Sequence, residues 1–94
     1  MKILKFYADW CGPCKALSNA LAGIEGDLAE RNVKLENINA DEKDDLAADF
    51  GIRGLPTTLI VAEDGETVLF RKPGMYSKED LLAIVDELQK TKQS

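Results

Sequence analysis

Both cysteines of this 94-residue chain, and its single tryptophan, fall in the stretch ADWCGPCK, residues 8–15. Two sulfurs three residues apart suit a metal half-site, a structural staple or a redox centre. The chain has no histidine, so the usual general base and the commonest zinc ligand are both missing. Two thiols alone fall short of the four Cys or His ligands of a structural zinc site, short of sharing between subunits, and no metal site is expected. A staple closing so short a loop contributes about 2 kcal/mol in the chain-entropy picture, and a reducing cytosol opens it. The redox reading accounts for each residue. Cys11 lies where a strand gives way to a helix, so free backbone N–H groups and the positive end of the helix dipole favour its thiolate. Cys14 is one turn further on, roughly 5–6 Å away at Cβ, close enough for modest adjustment to close a disulfide. Gly12 admits close approach of a partner chain, and Pro13 suits the first helical turn while limiting flexibility between the sulfurs. Trp10 reads either as an apolar shoulder or as ordinary core packing.

The elements that position this pair follow from pattern. Lys2 to Tyr7 is a strand, and apolar residues at Ala16, Leu17, Ala20, Leu21, Ile24 and Leu28 predict a helix from Cys11 to about Arg31. Gly23 and Gly26 weaken its far end. Val33 to Asn39 is a second strand, so the first three elements form a βαβ unit with parallel strands. Asp41 predicts the N-cap of a two-turn helix ended by Gly51. Thr57–Ala62 and Glu66–Arg71 flank a hairpin turn at Gly65. Ser77 and Asp80 predict a capping box for a last helix whose stripe is Leu81, Ile84, Val85 and Leu88, with fraying expected over residues 89–94. The order β-α-β-α-β-β-α implies one α/β domain over residues 1–94, a four-stranded mixed sheet flanked by helices. A C-x-x-C beside a βαβ unit is itself a redox signature.

Composition narrows the alternatives. Hydrophobic content of 45% fits a globular chain, and no apolar run approaches the ~20 residues of a membrane span. A net charge of -5 argues against nucleic acid, whose phosphates need a basic face. The charged start has no signal-peptide pattern, so a cytoplasmic location is expected.

WCGPC (Trp10 to Cys14) resembles the active-site signature of the thioredoxin family. FGIRGLPTTLIV (Phe50 to Val61) resembles the segment carrying that family's cis-proline, and GETVLFRKPG (Gly65 to Gly74) resembles its last hairpin and following glycine. The likeness runs from about Ile3 to Leu88. It implies a thioredoxin-like fold and a general protein-disulfide reductase, with Cys11 attacking and Cys14 resolving. It also implies that Trp10, Pro56 and Gly74 dock substrate, with backbone contacts from Leu55 and Thr57. On the residues alone, Pro56 reads equally as a trans edge proline and Gly74 as a turn residue. The resemblance further implies no bound cofactor, electrons from NADPH through a thioredoxin reductase or from another donor, disulfide-containing protein substrates, and a monomer. Three departures stand out. Only nine residues precede Trp10, so the family's first strand and helix are expected to be absent, an outline nearer to glutaredoxins. Asn19 stands where the family often has a helix-kinking proline. Lys5 stands at the family's buried aspartate, a position the resemblance puts beneath Cys14, which gives Lys5 a tuning role. A glutathione-recharged oxidoreductase and a non-enzymatic adaptor on the same fold are the alternatives.

Overall fold

The computed structural model describes residues 1–93. In chain order the elements are β1 (Lys2–Tyr7), α1 (Gly12–Ala20), α2 (Ile24–Ala29), β2 (Lys34–Asn39), α3 (Asp44–Asp49), β3 (Thr57–Val61), β4 (Val68–Pro73) and α4 (Lys78–Gln93). The sheet order is β2-β1-β3-β4. β1 runs parallel to β2 and antiparallel to β3, which is antiparallel to β4. This is the thioredoxin-like, four-stranded mixed sheet expected from the element order, with β2 and β4 at its edges.

Burial follows from the strand patterns. β1 and β3 are central and covered on both faces, so their sequences read as near-continuous apolar runs rather than alternating ones. On one face Ile3 and Ile60 meet Leu17 and Leu21, Ile24 and Leu28 of α2, and Leu81 and Val85 of α4. On the other, Leu4, Phe6, Leu59 and Val61 pack with Ile38 and Ala47, joined by Leu46 and Phe50. Helices therefore flank both faces, as predicted. Among the described residues no helix is long and apolar enough to cross a membrane.

Among the boundaries that differ from expectation, four have an identifiable cause. The predicted helix over 11–31 is two helices, because Gly23 adopts φ +82° and breaks the run. Asp41 does not cap α3. The Asn39 side chain accepts from the Asp41 and Glu42 amides (2.9 and 3.4 Å), and α3 begins only at Asp44. β4 begins at Val68 rather than Glu66, because the Asp64 carboxylate takes the amides of Glu66 and Thr67 and the Thr67 hydroxyl at 2.8, 2.9 and 2.6 Å. α4 continues to Gln93 where fraying was expected, and Gln89 donates to the Arg31 carbonyl at 2.8 Å. Ser94, included in that expectation, lies outside the described residues. The capping box forms as predicted: the Asp80 amide donates to Ser77 Oγ at 3.1 Å and the Ser77 amide to Asp80 Oδ2 at 3.5 Å.

Candidate active site

Cys11 is the N-cap of α1, with extended backbone (φ -88°, ψ 102°) and Pro13 in the first turn. Its Sγ accepts the Cys14 amide at 3.1 Å, so a backbone donor at the helix start is already aimed at this sulfur. The Cys11 amide is held by the Ala8 carbonyl at 3.1 Å, which ties the end of β1 to the helix. Cys11 and Cys14 are disulfide-bonded, with Cα atoms 5.3 Å apart, inside the usual range for a bridge.

The sulfurs sit in a small cluster with Ala8, against which Tyr7 and Leu55 pack. The Leu55–Pro56 peptide is cis, as the family resemblance implied, and the Gly74 amide donates to the Pro56 carbonyl at 2.9 Å. Gly74 takes φ +78°, a conformation L side chains rarely adopt, so it is more than a turn residue: its backbone is seated on the proline loop. Cys11, Cys14, Leu55, Pro56 and Gly74, drawn from three separate chain segments, are thus brought together.

The place of Cys11 at the helix start and of Cys14 one turn on suggests unequal exposure, but in the disulfide both are buried, at 3% and 4%, in a cluster with Ala8 against which Leu55 packs. Pro56 is buried as well. Thr57 is buried too, with strand partners on both sides, Phe6 and Pro73, so its backbone already lies within the sheet. Gly12 and Pro13 are exposed. Trp10 is 72% exposed, which removes the core-packing reading.

Two residues of this surface were missed by sequence reasoning. Asp41 accepts the Trp10 indole N–H at 2.8 Å, fixing the ring from a loop thirty-one residues away. Met75 is 49% exposed directly after Gly74, an apolar side chain on the loop that meets the proline. Its only signal in the sequence was that adjacency.

Lys5 is buried (5% exposed) on β1, and its Nζ donates to Ser18 Oγ of α1 at 3.0 Å. Burial lowers its pKa below the ordinary lysine value, with Glu25 acting in the opposite sense. A cleft of about 470 Å³ opens between the end of β1 and α1, lined by Tyr7, Ala8, Asp9, Cys14, Lys15, Ser18 and Asn19.

Comparison with known proteins agrees with this geometry. The family model described as Thioredoxin matches residues 1–87. A thioredoxin of Staphylococcus haemolyticus is 36% identical over 87 residues, covering 93% of this chain and 81% of that protein. One from Pseudomonas aeruginosa is 36% identical over 84 residues, 89% of this chain and 75% of its own. Among solved structures, chloroplastic thioredoxin z superposes with TM-score 0.80 at 33% identity, covering 95% of this chain and 78% of that one. Thioredoxin-2 of a malaria parasite gives TM-score 0.81 at 28% identity, covering 92% and 81%.

Proposed function

The chain belongs to the thioredoxin family and is a thiol–disulfide oxidoreductase, and from that premise we propose a division of labour between its two sulfurs. Cys11 is the nucleophile and Cys14 the resolving thiol. The observation that carries this is the Cys14 amide donating to Cys11 Sγ at the N-cap of α1. A donor and a helix dipole at one sulfur stabilise negative charge there and not on its neighbour.

Cys11 thiolate attacks a substrate disulfide, forming a Cys11–substrate bond and releasing the other substrate sulfur as a thiolate. Cys14, having lost its proton to water, then attacks Cys11 Sγ. The Cys11–Cys14 bond forms, the Cys11–substrate bond breaks, and its electron pair leaves on the substrate sulfur, which takes a proton from water. The substrate disulfide is reduced and the protein dithiol oxidised. Trp10, held by Asp41, together with Gly12, Pro13, Gly74 and Met75, forms the shallow apolar rim on which a protein substrate docks. Leu55 and Thr57 flank the buried Pro56, and the half-buried Leu55 offers the backbone contact to an extended peptide.

The protein works as a single-domain monomer in the cytoplasm, the compartment whose reducing poise keeps such a dithiol in use. It needs no bound cofactor, and a thioredoxin reductase drawing on NADPH returns it to the dithiol.

The test is a trap. Cys14→Ser should accumulate a covalent, thiol-reversible adduct with a disulfide-containing protein through Cys11, and Cys11→Ser should accumulate none. Equal trapping by both variants, or reductase activity surviving in Cys11→Ser, would overturn the assignment, whereas intact binding and unchanged biological activity in both variants would favour the adaptor reading. Turnover sustained by glutathione and not by NADPH with a thioredoxin reductase would overturn the assigned electron source.

A further inference from the structure

Lys5 is the only charged residue that the fold buries among the described ones. Its single hydrogen-bond acceptor is a hydroxyl, Ser18 Oγ at 3.0 Å, and among the described residues no carboxylate lies within ion-pair distance of it. A buried ammonium is costly without a counter-charge, so the arrangement invites one. In the disulfide form Cys14 cannot carry a negative charge. Reduction makes one available: Cys14 precedes Ser18 by four residues on α1, a spacing that sets side chains one above the other, roughly 6 Å apart. Cys14 and Ser18 also line the same cleft.

We propose that Lys5 and Ser18 form a positioning pair for the resolving cysteine, in which the ammonium, held against α1 by the Ser18 hydroxyl, favours the Cys14 thiolate and speeds its attack on Cys11. The inference rests on the assigned roles of the two sulfurs. The cleft supplies the path by which the Cys14 proton reaches water.

The surroundings of Lys5 on every side are compatible with this role. Glu25 of α2 favours the charged lysine through space. From β3, the cross-strand partner Thr58 shares a 2.6 Å hydrogen bond with the Tyr76 hydroxyl, and burial raises the Tyr76 pKa, so this phenol is neutral near neutral pH. β2 contributes Asn37 in register, which carries no charge. Asp9 and Lys15 line the cleft with opposite signs. Burial disfavours the ammonium and a neighbouring thiolate favours it, so Lys5 and Cys14 titrate as a coupled pair. The rate of resolution is therefore a better measure than one fitted pKa.

The experiment mixes reduced protein with a limiting amount of a neutral dipyridyl disulfide in a stopped-flow instrument. The first release of thiopyridone reports attack by Cys11, and the second reports resolution by Cys14. In Lys5→Met the second phase should slow about tenfold near neutral pH, its pH profile moving up by about one unit, with the first phase unchanged. Lys5→Arg keeps the charge and should restore most of the rate. Ser18→Ala, at an exposed position, should slow the second phase by less than Lys5→Met. A second phase unaltered in Lys5→Met overturns the proposal and makes Lys5 a strand residue that reaches towards water. Should Lys5→Met fail to fold, Ser18→Ala decides, and an unaltered second phase there overturns it equally. Absence of the first phase in the unmodified protein would instead sink the roles assigned to the sulfurs.

Discussion

Cys11 and Cys14 are almost equally covered in the disulfide, so exposure in that form does not distinguish them. On the proposed roles, charge stabilisation does. Cys11 Sγ has the Cys14 amide and the N-terminus of α1 directed at it, and the thiolate is the reactive form. Alkylation of the reduced protein near neutral pH should therefore label Cys11 first, read by mass spectrometry of partially modified protein. Equal labelling of the two would show that the N-cap contact has no electronic consequence. Trp10 illustrates a second residue-scale point: an exposed aromatic is held in place by the one hydrogen bond it donates to Asp41, a residue the chain order alone suggests for a helix cap.

At the scale of elements, polar side chains rather than apolar spacing set several boundaries. Asp64 is the clearest case. Its carboxylate collects two backbone amides and a hydroxyl at the β3–β4 turn, which holds its pKa down at about 2. A carboxylate whose folded pKa lies below its unfolded one contributes stability above the unfolded value and loses it as pH falls through the folded one. Asp64→Ala should thus be less stable than the unmodified protein near neutral pH, and the difference should close as pH falls from about 4 to about 2. Denaturant melts of both proteins across that range check it. A difference that persists in acid would mean Asp64 acts through packing or turn geometry instead of its charge. The break at Gly23 is of the same local kind, since only the left-handed backbone there turns α1 into α2.

For the whole molecule, the open question in solution is what its sheet edges do. β2 is an outer strand, and an outer strand with unpaired backbone groups is a template for association unless charge discourages it. Lys34 and Glu36 are exposed there, with Glu36 also pairing Lys2 at 3.0 Å. Replacing both by Val should make the protein associate in a concentration-dependent way, visible by size-exclusion chromatography with light scattering. An unchanged mass would show that these charges are merely solvated. The opposite side of the molecule is tied differently: Arg31 donates to both oxygens of Asp86 at 2.7 and 3.3 Å and to the Asp27 carbonyl, linking α2 to α4.

The succession of strands, the mixed sheet and the redox pair were legible in the sequence because they rest on local information. Periodicity, turn glycines and the Cys-x-x-C spacing each act within a few residues. The family resemblance added the cis Pro56 and the companion Gly74, which the residues alone left open. What the tertiary structure decided concerns partners distant in the chain. Asp41 accepts from the Trp10 indole instead of capping α3, and Gln89 of α4 donates to the Arg31 carbonyl. The burial of both sulfurs against Ala8 and Leu55, and of Lys5 against Ser18, appears only once β1, α1 and the proline loop are packed together. A side chain's spacing is written along the chain, but its solvent, its counter-charge and hence its reactivity are supplied by segments that only folding brings near.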